Sequence, residues 1–229
     1  MKKALITQSN YIPWKGYFDA INMVDEFIIY DDMQFTRRDW RNRNKIKTKD
    51  GLIWLTIPVE VKGKYFQKIN ETVISDPNWG MHHWKTIQYN YHKTPYFTLY
   101  KDQFEEAFLN NDKKYLTNIN HQFIKLVCGI LGIKTPIRFS EEFELKEEKT
   151  ERLVDICKKI GATDYYSGPA AKAYMNESLF ANENINIHYF DYSGYPEYPQ
   201  LFNNFAHDVS IIDLLFNEGE NAKKYMKSF

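Results

Sequence analysis

Residues 3–32 read KALITQSNYIPWKGYFDAINMVDEFIIYDD, in which two short apolar runs flank a helical pattern. The segments 4–7 and 26–30 are predicted to be buried strands, because each is short and mostly apolar. Between them, apolar side chains recur at the spacing of one helix face, which predicts a helix over 15–24. A strand, a helix and a strand within about 30 residues indicate a βαβ unit and hence a parallel sheet.

The rest of the chain continues this alternation, with a helical block in its middle. Strands are predicted at 52–59 and 66–75, and three helices follow at 79–91, 96–109 and 113–131. Beyond the block, the pattern predicts strands at 133–139, 165–166 and 186–191, and helices at 151–160, after Pro169 and after Ser210. The predicted fold is one α/β domain over 1–229, with a mostly parallel sheet of the Rossmann-like or nucleotidylyltransferase-like kind and a helical insertion near 78–131.

The composition argues against several classes of protein. Thirty Lys and Arg residues balance thirty Asp and Glu residues, so no overall positive field favours nucleic acid. The two cysteines, Cys128 and Cys157, are too few for a disulfide framework or a four-cysteine zinc site. The first apolar run ends at Ile6, which is too short for a signal peptide, and nothing approaches the ~20 apolar residues of a membrane span. We therefore expect a cytoplasmic protein that binds no nucleic acid and does not insert into membranes.

Polar and aromatic side chains follow four of the predicted strands at their carboxyl ends. Ligands of open α/β sheets bind outside these ends, so the four loops are predicted to form one site. The first loop holds Gln8, Asn10, Tyr11, Trp14 and Gly16; the second holds Asp31, Asp32, Gln34, Arg38, Asn42 and Arg43; the third holds Ser167, Gly168 and Lys172; the fourth holds Tyr198 and Gln200. Amide, guanidinium, hydroxyl and aromatic groups suit sugars and phosphates. These residues are the candidate substrate-binding set.

Each part of this set also has a purely structural interpretation. Asp31 and Asp32 could bind Mg²⁺ or a ribose, or could end a strand in solvent, where Asp is common. The basic run RRDWRNRNK, residues 37–45, could hold a phosphate through bidentate arginine contacts, or could be a solvated turn. The segment SGPAAK, residues 167–172, could present backbone N–H groups to an anion, or could be a simple turn before a helix.

Several segments together resemble one protein family. They are QSNYIPWKGYFDAI (8–21), VDEFIIYDDMQFTRRDWRNRNKIKT (24–48), WLTIPV (54–59), YYSGPAAKAY (165–174) and SIIDLLFNEG (210–219). In this combination and order they resemble the WbqC-like protein family, over nearly the whole chain. That family is found in bacterial gene clusters for O-antigen and other surface polysaccharides. The resemblance therefore implies a pathway more firmly than a reaction.

A more distant likeness concerns the opening unit. A strand, a P-x-x-G turn, a helix and a strand that ends in Asp resemble the first unit of HIGH-motif nucleotidylyltransferases and pantothenate synthetases. In those enzymes a tetrapeptide at the helix N-terminus holds the phosphates of ATP, and the corresponding residues here are Trp14, Lys15, Gly16 and Tyr17. Gly16 is kept and both histidines are absent. The likeness implies a close approach of a phosphate or a sugar at Gly16, without the side chains that serve adenylyl transfer.

The family resemblance implies an enzyme of surface-polysaccharide precursor synthesis that acts on a nucleotide-linked sugar. The expected reaction is acyl or aminoacyl transfer to an amino sugar, with ATP and Mg²⁺ as candidate cofactors. Asp31 and His207 are the candidate general bases, although His207 and Asp208 also suit a helix cap. The alternative is a non-catalytic protein that binds a glycan or a nucleotide. A thiol-dependent acyl transfer through Cys128 or Cys157 is a third hypothesis.

Overall fold

A five-stranded parallel sheet forms the centre of the computed structural model, which describes residues 1–202 and 204–229. The strands are β1 (Lys3–Thr7), β2 (Glu26–Ile29), β3 (Arg43–Thr48), β4 (Gly51–Thr56), β5 (Ile137–Phe139), β6 (Asp164–Ser167) and β7 (Asn186–Tyr189). The helices are α1 (Lys15–Asn22), α2 (Trp79–Tyr91), α3 (Phe97–Leu109), α4 (Leu116–Leu131), α5 (Lys149–Ile160), α6 (Glu177–Ala181) and α7 (Ile211–Glu218). The sheet order is β5-β2-β1-β6-β7 with every pair parallel, so the predicted α/β fold class is confirmed.

The central strands are buried on both faces of the sheet, which explains why they are apolar without interruption. Successive side chains point to opposite faces and enter two different clusters. Leu5 and Phe27 belong to a cluster that also contains side chains of α1, of α2 to α4 and of α7. Ala4 and Ile28 belong to the other cluster, together with side chains of α5 and α6. The sheet therefore lies between two layers of helices.

The helices α4, α5 and α7 lie close to their predicted bounds, because the residues at their ends give strong signals. Gly132 follows α4 with a φ of 70° and Gly161 follows α5 with a φ of 69°, a left-handed conformation that Gly adopts without strain. Ser210 begins α7, and its hydroxyl accepts a hydrogen bond from the backbone N–H of Ile212 at 3.3 Å. Within the described residues, no helix combines the length and the apolar character that crossing a membrane requires.

An antiparallel hairpin of β3 and β4 is the main departure from the predicted elements. The sequence predicted a strand at 66–75, but this segment contains only a short 3₁₀ turn and isolated bridges. The sequence pattern predicts a loop where β3 lies, because Arg and Lys alternate with buried side chains, which include Asn44 and Ile46. The available signal was the Lys49-Asp50 turn before Gly51, whose φ of 112° suits a tight hairpin.

The chain reverses its direction of winding between β1 and β6. From β1 it passes through α1 to β2 and later to β5 on one side, and it then returns to β6 on the other side of β1 and continues to β7. The carboxyl ends of β1 and β6 therefore flank the crevice where open α/β sheets bind their ligands.

Candidate functional site

A cavity of about 470 Å³ opens among the loops that follow the strands of the sheet. Asn10 and Trp14 come from the loop after β1, Trp40 from the loop after β2, and Tyr192 and Tyr195 from the loop after β7. Because all three strands are parallel, these loops leave the sheet at the edge where a ligand is expected. The volume lies within the ~300–1,000 Å³ of small-molecule sites. We call this space the aromatic cavity.

Four tryptophan and tyrosine rings line the aromatic cavity. The Trp14 ring meets Tyr192 and Tyr195 edge to face, with centroids 5.3 and 5.2 Å apart. Trp40 also lines the cavity, and its ring packs against Trp54 at 5.2 Å. These rings offer flat apolar surfaces on which a nucleobase or a sugar ring can stack.

Hydrogen bonds from the hairpin region hold the loop after β1 in place. The side-chain amide of Asn44 donates to the carbonyl oxygens of Tyr11 at 3.1 Å and Ile12 at 2.7 Å. The backbone N–H of Tyr11 donates to the carbonyl oxygen of Trp40 at 2.9 Å. Ile12 has a φ of 40°, which is costly for a β-branched residue and persists only where surrounding contacts enforce it. The loop is therefore fixed before any ligand arrives.

Gly16 leaves room for an aromatic side chain of the protein itself. A Cβ atom at this position would lie 2.6 Å from Cη2 and 2.7 Å from Cε2 of the Trp14 indole. Real Cβ atoms do not approach other atoms so closely, so the Trp14 ring can lie here only because residue 16 has no side chain. The close approach that the sequence predicts at Gly16 is thus made by Trp14, beneath the wall of the aromatic cavity.

The polar groups of the aromatic cavity include an amide, an imidazole and one member of an ion pair. The Oδ1 atom of Asn10 accepts a hydrogen bond from the Arg41 guanidinium. Asp208 forms an ion pair with Lys45. His207 is exposed, and its ring packs against the ring of Phe205 with centroids 4.6 Å apart. The His207 imidazole offers a ring nitrogen that can accept a hydrogen bond from a ligand.

Two lysines anchor the segment 191–196, which we call the tyrosine loop. The Nζ atom of Lys15 donates to the Pro196 carbonyl oxygen at 2.7 Å. Burial disfavours this ammonium group and lowers the pKa of Lys15 to about 8. The Nζ atom of Lys227 donates to the carbonyl oxygens of Asp191, at 3.3 Å, and of Ser193. The two tyrosines of the cavity wall therefore lie on a loop that is anchored at both ends.

Asp31 is buried and bonded to protein donors, and it does not line the aromatic cavity. Its Oδ1 atom accepts from the backbone N–H of Ser9 at 2.8 Å, and its Oδ2 atom accepts from the hydroxyl groups of Ser9 at 2.6 Å and Thr117 at 2.5 Å. Burial raises the pKa of the Asp31 carboxyl, while these hydrogen bonds favour its ionised form. The carboxylate thus ties the loop after β1 to α4.

The neighbouring Asp32 is also engaged by the protein. Its carboxylate accepts hydrogen bonds from the Ser140 hydroxyl and, at 3.4 Å, from the side-chain amide of Asn70. Mg²⁺ needs several oxygen ligands that are not already bonded elsewhere, so the pair Asp31–Asp32 does not fit a magnesium ion in this arrangement. Over the described ranges, 1–202 and 204–229, no group of three His, Cys, Asp or Glu side chains could hold a metal.

The two predicted residues of the fourth loop belong to a buried polar network. The hydroxyl groups of Tyr198 and Tyr91 donate to the Asp213 carboxylate at 2.9 and 2.8 Å. Gln200 donates to the Tyr198 hydroxyl at 3.1 Å and accepts from Nζ of Lys47 at 2.9 Å. Burial raises the pKa of the Asp213 carboxyl. Tyr198 and Gln200 thus connect α2, the hairpin and α7, and neither lines the aromatic cavity.

The remaining predicted residues lie in three kinds of place. Tyr11 is fully buried, with its hydroxyl 2.7 Å from Nδ1 of His83. A second, smaller cavity beside the hairpin is lined by Arg38, Asn42 and Arg43. Five residues line neither of these cavities: Gln8, Gln34, Ser167, Gly168 and Lys172. Of the predicted set, the structure therefore brings Asn10, Trp14 and His207 together at the aromatic cavity.

Five lining residues lie outside the candidate substrate-binding set: Trp40, Tyr192, Ser193, Gly194 and Tyr195. The predicted loops after β2 and β7 contain Trp40, Tyr192 and Tyr195, whereas Ser193 and Gly194 carried no chemical signal of their own. The signal for residues 192–195 was the segment D-Y-S-G after β7. There the backbone N–H of Ser193 donates to the side chain of Asp191 at 2.9 Å, and Gly194 takes a φ of 66°. Such a turn after a parallel strand projects its flanking aromatic residues from the edge of the sheet.

Comparison with known proteins gives one family and one relative. A model of the WbqC-like protein family matches residues 8–225. The uncharacterized protein Rv1507c of Mycobacterium tuberculosis (strain ATCC 25618 / H37Rv) is 48% identical over 227 residues, which cover 99% of this chain and 98% of that protein. No solved structure matches the chain significantly. The family match includes every residue that lines the aromatic cavity.

Proposed function

The chain belongs to the WbqC-like protein family, and we propose that it is an enzyme of surface-polysaccharide (O-antigen) precursor synthesis that transfers an acyl or aminoacyl group to a nucleotide-linked amino sugar. The aromatic cavity is the observation that carries this proposal. Its volume of about 470 Å³ and its four aromatic rings suit a ligand that contains both a base and a sugar.

His207 is the general base that the aromatic cavity favours. In the proposed transfer, the sugar amine attacks the acyl carbonyl carbon, the bond to the leaving group of the donor breaks, and the amine gives up a proton. A base must take that proton. His207 is exposed at the cavity, whereas Asp31 is buried under three hydrogen bonds and does not line it. If the acyl donor is a free acid, ATP activates it; a donor that is already activated needs no ATP.

A non-catalytic protein that binds a glycan or a nucleotide is the second candidate function. The composition of the lining favours it, because stacking surfaces outnumber groups suited to acid–base chemistry. Asp208 is paired with Lys45, so its charge is already compensated. The two candidate functions agree on binding and differ in turnover.

Binding is tested by thermal unfolding with UDP- and dTDP-linked amino sugars, each with and without ATP and Mg²⁺. A ligand of the native state at a hundredfold excess over its Kd stabilises by about 2.7 kcal/mol. Tyr192→Ala removes a ring of the cavity wall and is expected to weaken binding about tenfold, since one stacking contact contributes ~1–3 kcal/mol. Tyr89→Ala is the matched control, because Tyr89 is 70% exposed and lies on α2 outside the cavity.

Turnover is tested by mass spectrometry of each bound nucleotide sugar after incubation with activated acyl donors, or with amino acids and ATP. His207→Gln is expected to retain binding and lose product formation. Binding without product for every donor would favour the second function. The proposal fails if no nucleotide sugar binds, or if Tyr192→Ala binds as tightly as Tyr89→Ala.

A further inference from the structure

Three arginines without carboxylate partners line a small cavity beside the hairpin. Arg37, Arg38 and Arg43 border this space of about 210 Å³, which we call the arginine pocket. Within residues 1–202 and 204–229, none of these three guanidinium groups forms an ion pair. In the described part of the chain, the one hydrogen bond of the Arg37 side chain goes to the backbone carbonyl oxygen of Val61 at 3.2 Å. Three uncompensated positive charges around one cavity make it a place that favours an anion.

Within the described residues, two side chains that line the arginine pocket each carry a buried polar atom without a hydrogen-bond partner. These atoms are Nε of Arg43, a donor, and Oδ1 of Asn42, an acceptor on a side chain that is 6% exposed. Buried polar groups without partners are rare, because each carries an uncompensated loss of hydration. Both residues line the arginine pocket, so its wall contains hydrogen-bonding groups that the protein leaves unused.

The backbone at the arginine pocket is strained. Arg38 has a φ of 59°, a left-handed conformation that residues other than Gly, Asn and Asp seldom adopt. The guanidinium of Arg43 donates to the carbonyl oxygen of Arg38 and so helps to keep this conformation. Strained residues cluster where a side chain must be presented to a ligand.

Charge is concentrated in the same part of the chain. The segment 37–68 contains ten Lys and Arg residues and three Asp and Glu residues, a net charge of +7, whereas the whole chain has a net charge of 0. A local field of this sign raises the concentration of anions near the pocket. The neutral total therefore conceals a basic region around the hairpin.

The arginine pocket and the aromatic cavity are neighbours, joined by a pair of tryptophans. The guanidinium carbon of Arg43 lies 3.9 Å from the ring centre of Trp54, which packs against Trp40 of the aromatic cavity. The pocket of about 210 Å³ is below the ~300–1,000 Å³ of whole-ligand sites, whereas the cavity of about 470 Å³ is within that range. The sizes suit one small acidic group beside the body of a larger ligand.

We propose that the arginine pocket is an anion subsite, which binds a phosphoryl group or a carboxylate of the ligand that occupies the aromatic cavity. Planar guanidinium groups bind either anion through paired hydrogen bonds. The identity of the full ligand rests on the proposed function, while the presence of the anion site does not.

Isothermal titration with three small anions tests the subsite: inorganic phosphate, pyrophosphate and glucuronate. The test variants are Arg37→Gln and Arg38→Asn, because both side chains are exposed and Asn tolerates the left-handed backbone at position 38. Loss of one charge-assisted contact is expected to weaken anion binding at least about tenfold. Lys49→Ala is the control: it removes the same charge from the exposed end of the hairpin and is expected to change binding less than twofold.

The outcomes separate the subsite from the proposed function. Tighter binding of phosphate and pyrophosphate than of glucuronate identifies a phosphoryl group, and the reverse order identifies a carboxylate. The proposal is overturned if none of the three anions binds, or if Lys49→Ala weakens binding as much as the arginine variants do. If Tyr192→Ala abolishes nucleotide-sugar binding and Arg38→Asn leaves it unchanged, the function stands and the subsite fails. If pyrophosphate binds in a way that depends on the arginines and no nucleotide sugar binds, the subsite stands and the proposed function fails.

Discussion

A single methyl group at position 16 tests how the Trp14 ring is held in the aromatic cavity. In Gly16→Ala the new Cβ atom would overlap the indole, so the ring must shift and its contacts with Tyr192 and Tyr195 must change. We expect weaker ligand binding together with a loss of stability of about 1–3 kcal/mol, the usual range for overpacking. Urea unfolding measures the stability, and ligand titration measures the binding.

The matched control for this substitution is Gly129→Ala. Gly129 is exposed on α4, and no described atom outside the adjacent backbone of that helix lies within 4 Å of the Cβ atom that the substitution adds. Ala should stabilise the helix by up to about 1 kcal/mol and leave binding unchanged. If Gly16→Ala changes stability and ligand binding no more than Gly129→Ala does, Gly16 is not needed to make room for the Trp14 ring.

His83 is a buried histidine whose titration should limit stability in acid. Its Nδ1 atom accepts from the Tyr11 hydroxyl at 2.7 Å and its Nε2 atom donates to the Thr56 carbonyl oxygen at 3.2 Å, an arrangement that suits a neutral ring. Burial lowers the pKa of His83 from 6.5 to about 4. As the pH falls from 6.5 to 4, the His83 imidazole binds a proton in the unfolded chain but not in the folded chain. The free energy of unfolding therefore decreases over that window.

Urea unfolding of the native chain and of His83→Gln from pH 7 to pH 4 measures this contribution. The stability advantage of the native chain over the variant should fall by roughly 3 kcal/mol across the window, since one pKa unit corresponds to about 1.4 kcal/mol. The raised pKa values of the Asp31 and Asp213 carboxyl groups increase stability as the pH falls, opposite to His83. Both proteins contain these two groups, so the difference between their free energies of unfolding isolates the effect of His83. Parallel pH profiles would contradict the assignment.

The sequence identifies which loops follow which strands, but not the direction of each polar side chain. Asn10 and Trp14 could be predicted at the aromatic cavity, because they immediately follow a strand that the apolar pattern reveals. Asp31 carried the same signal, but its partner Thr117 lies 86 residues away on α4. Tyr198 likewise looked like a ligand-binding residue, and instead it bonds to Asp213. Partners that are distant in sequence decide whether a polar group binds the protein or a ligand.

Among the elements, the tyrosine loop depends on a contact from the last residues of the described chain. Lys227 reaches the carbonyl oxygens of Asp191 and Ser193, and the Asp19 carboxylate holds the backbone N–H of Lys227 at 2.8 Å. Lys227→Met keeps the apolar stem and removes the donors, so the loop should loosen. We expect faster hydrogen exchange at 191–196 and ligand binding weaker by about fivefold, the effect of losing ~1 kcal/mol of hydrogen bonding.

Lys224→Met is the control for this contact, because Lys224 is exposed on the 3₁₀ turn that precedes the same tail. Its exchange rates and its binding should equal those of the native chain. Equal exchange at 191–196 in both variants would mean that Lys227 does not anchor the tyrosine loop.

The elements themselves could be predicted where their signals are local. The bounds of α2, α3 and β1 follow from apolar spacing and from nearby breaks. β3 could not be recognised in this way, because its alternation is between charged and amide groups, and its burial arises from packing against other parts of the chain. Tertiary contacts, and not intrinsic preference, make the basic run a strand.

At the scale of the whole molecule, the two cysteines lie on opposite faces of the sheet. Cys128 lies in the cluster that contains the middle helices, and Cys157 lies in the cluster of α5 and α6. Both are buried, and burial raises the pKa of each thiol to about 12, so almost no thiolate is present at neutral pH. In the native state both should resist alkylation by iodoacetamide.

We propose that residues 1–229 unfold as one domain, because the sheet is shared by both clusters.

Pulsed alkylation in increasing urea, with mass spectrometry of the two cysteine peptides, tests this proposal. One cooperative unit exposes Cys128 and Cys157 at the same urea midpoint, since neither cluster can persist without the sheet. An earlier midpoint for Cys128 would mean that the middle helices unfold as a separate unit.

The burial of the two cysteines also argues against thiol-dependent acyl transfer, because a thiol that does not ionise cannot attack an acyl donor. A variant that carries both Cys128→Ala and Cys157→Ala should therefore keep its turnover. Loss of turnover in a variant that still binds nucleotide sugar would restore the thiol mechanism.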